Sequence, residues 1–204
     1  SNLNITTPYS RYALDFDGTD DYMSLGVNNN DLMPTTAFSL SLWVRFNDLS
    51  SIQGLWEATS NGPSYGNNGY LIWKSSANKI QFFIRQGSSW KIATSTTTVT
   101  AGDWFQVAGV WNGSSLSKIY INGVSEGTSN PSSINYDSNT AINLGAYQSN
   151  IVSGKFLNAK LSNASIWNAA LTSTQVTEIY NQGKPGNLNN HSAYSNLVSW
   201  WQLG

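Results

Sequence analysis

Hydrophobic and polar residues alternate along much of this chain. In FSLSLWVRF, Phe38, Leu40, Leu42, Val44 and Phe46 fall on one side, with Ser39, Ser41, Trp43 and Arg45 on the other. A period of two predicts a strand with one buried face. KIQFFIRQ repeats the pattern: Ile80, Phe82 and Ile84 face in, and Gln81, Phe83 and Arg85 face out. GYLIWKS, SWKIATSTT, DWFQVAGVWNG, SKIYINGV and AINLGAY predict further strands. Stretches rich in Gly, Asn, Ser and Pro separate them and supply turn geometry. Many short strands with no helical stretches between them predict an all-β fold, a two-sheet antiparallel jelly-roll sandwich.

A helical period appears once, near the end. In ALTSTQVTEIYNQGKPG, Thr172 and Gln175 spell a capping box, and Leu171 is placed to staple against Val176. Val176, Ile179 and Tyr180 form the apolar stripe. Gly183 is expected to supply the left-handed terminal residue, and Pro185 stops the helix. GNLNNHSAYSN then reads as a polar linker, with His191 solvated and Glu178 on a solvated helix face. LVSWWQLG is strand-like and either closes this domain or begins a following module. The expected division is a jelly-roll domain over 1–186, followed by linker and terminal strand over 187–204.

Composition narrows the function. Only 10% of the 204 residues are charged and the formal net charge is -1, with no basic run. That excludes an electrostatic footprint for nucleic acid or anionic membrane. No stretch approaches the roughly 20 apolar residues of a membrane span, so membrane insertion is not expected. The absence of cysteine removes disulfides and thiol chemistry. Asn, Ser, Thr and Gly replace the charge, alongside 13% aromatic residues. Such a surface suits an uncharged polyol ligand, and it equally reflects compositional drift.

Several segments fall in a recognisable order: LDFDGTDDYMSLG, FSLSLWVRF, DWFQVAGVWNGSSLSKIYINGV and LSNASIWNAALTSTQVTEIYNQG. The sequence over about residues 11–186 resembles the LamG-like, concanavalin A-like jelly-roll family. The resemblance implies two curved antiparallel sheets with a short helix after IWNAAL. It also implies a carbohydrate-binding or adhesive module, extracellular or virion-associated, of the kind found in phage structural proteins. Two departures stand out. Ser162 and Asn163 occupy the place of an acidic pair common in the family, which weakens any calcium site built on that pair. No Trp-bearing strand precedes Tyr12, although a strand from LVSWW is able to fill that gap.

ALDFDGTDDYMSLG packs Asp15, Asp17, Asp20 and Asp21 into one short stretch. Glycoside hydrolysis needs two carboxylates about 5–9.5 Å apart. The three glutamates, Glu57, Glu126 and Glu178, stand far from other acids in sequence, and the aspartates surround a glycine turn. Catalytic residues are therefore not expected, unless distant loops bring Glu57 to Asp137 or Asp103. Asp and Gly suit a tight bend around Gly18. Two readings stay open there: a turn alone, or a turn holding structural calcium through Asp17, Asp20 and Asp21.

Sugar sites pair an aromatic face with amides and hydroxyls. LWEATSNGPSYGNNGYLIWKS offers Trp56, Glu57, Tyr65, Asn68, Tyr70 and Trp73. RQGSSWK adds Arg85 and Trp90, and LGAYQSN adds Tyr147. Tyr65 and Trp90 are expected to be exposed, whereas Trp104 and Trp111 are expected in the core. Trp43 and Phe83, on the polar sides of their strands, face a sheet surface or cover it. The chain therefore reads as a non-enzymatic carbohydrate-binding or adhesion module whose partner is a cell-surface or matrix glycan. Other subunits of a larger assembly are further candidate partners. A purely structural module of a virion or fibre, contacting only protein, and a glycoside hydrolase are the alternatives.

Overall fold

The computed structural model describes residues 13–60, 68–147 and 155–203. Tyr65 lies outside the described residues. The strands are β1 (Leu14–Asp17), β2 (Met23–Val27), β3 (Phe38–Phe46), β4 (Gln53–Ser60), β5 (Tyr70–Lys74), β6 (Lys79–Gln86) and β7 (Ser89–Thr98). They continue with β8 (Trp104–Trp111), β9 (Ser117–Ile121), β10 (Val124–Ser129), β11 (Thr140–Leu144), β12 (Asn158–Trp167) and β13 (Leu197–Trp201). One helix, α1 (Ser173–Tyr180), follows β12. Sheet A runs β1-β12-β3-β8-β9-β10, with β13 also on β12, and sheet B runs β2-β11-β4-β5-β6-β7. All pairs are antiparallel, and the two sheets face each other across one core as a jelly-roll sandwich.

The core is built from the inward sides of the alternating strands. Phe38, Leu40, Leu42, Val44 and Phe46 of β3 are fully buried against Trp56, Tyr70, Ile72, Phe82 and Ile84 of sheet B. Gly109 in β8 makes room where the sheets meet, since a Cβ there would sit 2.8 Å from the Phe82 ring. Burying such an aromatic side chain contributes about 1.5–3 kcal/mol.

Sheet A differs from the sequence expectation in being covered on both faces over part of its extent. Ser39, Ser41 and Trp43, on the polar side of β3, are buried as well. The cover is α1 and the segments flanking it. Ser39 Oγ donates to the Ala169 carbonyl at 2.8 Å and accepts the Leu171 N–H at 2.9 Å. The Trp43 ring stacks on Tyr180 at 5.9 Å, with 19° between the planes. Leu171, Val176 and Ile179 join Val110, Tyr120 and Trp167 in a second apolar cluster.

The helix has the expected cap. Thr172 Oγ1 accepts the Gln175 N–H while the Gln175 side chain receives the Thr172 N–H, satisfying two end donors. Its left-handed exit begins earlier than expected, at Asn181 with φ 45°, because asparagine is one of the few residues besides glycine that visit that region. Gly183 continues it.

The stretch read as a polar linker is packed, with Leu188, His191 and Ala193 buried. His191 is 6% exposed, contrary to the solvated reading. Its Nδ1 accepts the Ala193 N–H at 3.0 Å, so Nε2 carries the proton toward the Gln175 carbonyl 2.9 Å away. Glu178 is exposed, as expected of the helix face, and is hydrogen-bonded. Burial alone would raise its carboxyl, yet hydrogen bonds from the Ser192 hydroxyl and N–H hold it below the usual range.

β13 pairs with β12 and so belongs to this sandwich. It lies end to end with β1 on one edge of β12: β1 meets Asn158–Leu161 and β13 meets Ala164–Trp167. Between them the strand bulges at Asn163, which adopts φ 49°. Trp104 is 40% exposed rather than buried. It sits opposite Arg45 on the outer side of sheet A, one rung beyond the Trp43–Tyr180 stack. Trp111 is fully buried, as expected.

Gly109→Ala should destabilise the fold by about 1–3 kcal/mol in urea unfolding, because the new methyl overlaps the Phe82 ring. Phe82→Leu added to it should recover part of the loss. Additive costs in the double mutant would count against this close packing.

Candidate functional site

Alternation divides the aromatic residues of sheet B between its two faces. In β5, Tyr70 and Ile72 point inward, so Leu71 and Trp73 point outward. In β6, Phe82 and Ile84 point inward, so Gln81, Phe83 and Arg85 point outward. Register then sets partners side by side: Trp73 beside Gln81, Leu71 beside Phe83, Phe83 beside Ile92, and Arg85 beside Trp90. The outer face of sheet B thereby gathers an oblique aromatic strip. Trp73 meets Phe83 edge-on at 4.7 Å, Phe83 meets Trp90 at 5.8 Å, and Tyr147 closes on Trp73 at 5.5 Å.

Hydrogen bonds hold the strip in place. Trp73 Nε1 donates to Gln81 Oε1 at 2.6 Å, and Gln81 Nε2 donates to Thr94 Oγ1 at 3.0 Å. The indole is thus clamped across three strands. At the other end the Arg85 guanidinium lies 5.4 Å from the centre of the Trp90 ring. Beside the strip, Glu57 is 2% exposed on the same outer face. Its oxygens accept Asn143 Nδ2 at 2.7 Å and Thr59 Oγ1 at 2.9 Å.

The sequence candidates separate into three groups. Trp73, Arg85, Trp90 and Tyr147 come together, with Glu57 alongside as a buried, hydrogen-bonded neighbour. Trp56 and Tyr70 belong to the core instead. Trp56 is fully buried edge-on against Trp201, and the Tyr70 hydroxyl donates to the Leu32 carbonyl while burial pushes its pKa up. Neither offers surface to a ligand. Asn68 is also buried, ahead of β5. Trp90 is half-buried rather than fully exposed. Phe83, Gln81 and Ile92 are the additions, and the outward alternation of KIQFFIRQ is the signal that marks the first two. Asn143 had no such signal, because its partner lies 86 positions away.

Glu57 is the single carboxylate on the strands of sheet B. A hydrolase needs an acid pair flanking the scissile bond. Asp103 is bonded to Thr100 and Asp137 to Ser60.

The acidic turn lies elsewhere. It joins β1 of sheet A to β2 of sheet B, and three strand spacings, about 14 Å, separate β2 from β5. Asp17 Oδ1 accepts the Thr19 N–H at 2.7 Å, Asp21 Oδ2 accepts the Asp17 N–H at 3.1 Å, and Gly18 adopts φ 81°. These bonds make the bend. The bend also brings carboxylate oxygens of Asp17, Asp20 and Asp21 within 4.8 Å of one another, all exposed. Three hard oxygen donors fit a calcium ion, with carbonyls or water supplying the remainder of its shell.

A family model described as the Concanavalin A-like lectin/glucanases superfamily matches residues 17–177. No curated protein matches the chain. Among solved structures, the chain is similar to the CBM40 of the Ruminococcus gnavus IT-sialidase bound to α2,3 sialyllactose. That match has TM-score 0.68 and 10% identity, covering 83% of this chain and 97% of the other. It is also similar to domain 4 of AbnA, an extracellular arabinanase from Geobacillus stearothermophilus, in complex with arabinotriose (TM-score 0.62, 20% identity, 82% and 76% covered). Domains LG4-5 of the mouse laminin α1 chain match with TM-score 0.59 and 16% identity, covering 76% of this chain and 40% of that one. At these identities the likeness is one of fold.

Trp56→Ala and Tyr70→Ala should each cost about 3–5 kcal/mol in denaturant unfolding, as large core truncations do. Trp90→Ala should cost less than half as much, because the residue is half-buried on an outer face. Equal losses at all three positions would contradict this division of the aromatics.

Proposed function

The chain belongs to the Concanavalin A-like lectin/glucanases superfamily, and on that premise we propose that it is a non-enzymatic carbohydrate-binding module. The observation that carries this reading is the strip of half-buried Trp73, Trp90 and Tyr147 on the outer face of sheet B, gathered around Phe83, which is 5% exposed and packs beneath Trp73 and Trp90. Aromatic rings pack against the C–H surface of sugar rings, and neighbouring polar groups bond the hydroxyls. Two of the similar structures hold oligosaccharides, arabinotriose and sialyllactose, which supports the ligand class. The lone, engaged carboxylate of the sheet argues against hydrolysis there. The module acts outside a cell or on a virion, where it meets surface or matrix glycans, and several copies in one assembly raise its avidity.

We also propose a structural calcium ion at the turn, held by Asp17, Asp20 and Asp21. The ion would neutralise carboxylates that otherwise repel one another and so tie β1 to β2. It would not touch a glycan on the strip, given the intervening strands.

A glycan array probed with the multimerised domain should give hits that survive chelation. Trp73→Ala and Trp90→Ala should each weaken the hits at least about tenfold. A blank array from folded protein would instead favour a structural, protein-contacting module. Separately, millimolar calcium should raise the melting temperature of the wild type and leave Asp20→Asn/Asp21→Asn unmoved. An unchanged wild-type midpoint would reduce the acidic stretch to a turn.

A further inference from the structure

The composition suits a neutral ligand, but the charge on the proposed site does not. The strands of sheet B carry Lys74, Lys79, Arg85 and Lys91 against one carboxylate, Glu57. Glu57 is buried and bonded to Asn143 and Thr59. Lys74 points into the sandwich, where it donates to the Leu49 carbonyl at 2.8 Å, and Lys79 donates to the Thr96 carbonyl.

Arg85 is placed differently. Its Nε donates to the Gly87 carbonyl at 3.1 Å, and its guanidinium is seated over Trp90. The terminal nitrogens of the fork have no acceptor among the described residues. All eleven acidic side chains of the sequence are among those residues, and none comes within 4.0 Å of Arg85. The guanidinium is therefore a positioned cation without a counter-charge, at one end of the aromatic strip. Lys155 stands near the other end. It exchanges both backbone hydrogen bonds with Tyr147, at 2.9 and 3.3 Å, which puts their side chains on the same side of that pair.

We propose that the strip takes an acidic glycan, with a carboxylate or sulfate group of the sugar seated on the terminal nitrogens of Arg85 at the Trp90 end. This deepens the carbohydrate-binding reading and rests on it. Coplanar acid oxygens match the guanidinium fork, and Trp90 already restricts how that fork can turn. A neutral sugar lying across the same end would strip water from the cation and return no opposite charge. An acidic sugar restores the charge balance, and beside Phe83, Trp90 and Ile92 the pairing is stronger than in open water.

Calorimetric titrations with oligogalacturonate and its carboxyl-reduced form, and with a sulfated galactan oligosaccharide free of uronate and its desulfated form, test this and separate the two acid groups. At least one acidic form should bind on the order of tenfold or more tightly than its neutral partner, with the gap narrowing as salt rises. Arg85→Gln should shrink that ratio, and Arg85→Lys, which keeps charge without the fork, should leave it intermediate. Lys118→Gln, on sheet A, should leave both affinities unchanged, and near-UV dichroism checks the fold of each variant. Neutral forms bound as tightly as acidic ones, or a ratio insensitive to Arg85→Gln, would overturn the acidic specificity while leaving glycan binding intact. No heat with any of the four ligands, together with a blank glycan array, would remove both.

Discussion

Trp43 stacks on Tyr180, and around that contact α1 and the segment after it are laid over the outer face of sheet A. The consequence reaches across the whole sandwich. Sheet A is buried on both faces around that contact, with Trp104 exposed beyond it, and sheet B keeps an outer face on which Trp90 and Ile92 reach solvent. The aromatic strip lies on that second face. Aromatic residues on sheet A, such as Tyr120 and Trp167, serve packing because the helical layer covers them. The Thr172–Gln175 capping box starts the helix, and the buried His191 ties the following segment back to the Gln175 carbonyl. A helix of only eight residues is marginal alone and depends on such packing.

Much of the fold was legible because it rests on local patterns. The alternation in β3 and β6 gave both strands and their inward residues, and the capping box located the helix within a residue. Long-range cover was not legible. Ser39 and Ser41 look like solvent-facing positions, yet Ser39 is bonded to a segment about 130 residues later and Ser41 accepts from Gln106 of β8. His191 misled for the same reason. Its neighbours in sequence are polar, whereas its neighbours in space are Trp167 and the end of α1.

The candidate site was half legible, and strand parity explains which half. GYLIWKS is apolar on both sides of its strand, so nothing local says whether Tyr70 or Trp73 faces out. β4 adds a bulge between Gly54 and Trp56, which breaks any count of alternate residues from the flanking loop. By contrast, KIQFFIR has polar residues on one side only, and its outward set, Gln81, Phe83 and Arg85, forms the middle of the strip. The residues that complete it, Tyr147 and Asn143, arrive from β11 and the turn after it. Their partners were unreadable without the register.

The arrangement favours recognition over chemistry, and preorganisation is the reason. Trp73 is held by Gln81, which is held by Thr94, and each belongs to a different strand of one sheet. Side chains locked this way lose little rotamer freedom when a ligand lands on them. Rigid placement of aromatic rings is what stacking requires, whereas hydrolysis would require two carboxylates free to exchange protons. Glu57 is in the right sheet but is already a hydrogen-bond acceptor for its neighbours, where it stiffens the junction of β4 and β11. The charge left without a partner on this face is positive, at Arg85, next to the ring that positions it. A surface of fixed aromatic faces with a fixed cation at one end selects its ligand by shape and charge together, and needs no moving part to do so.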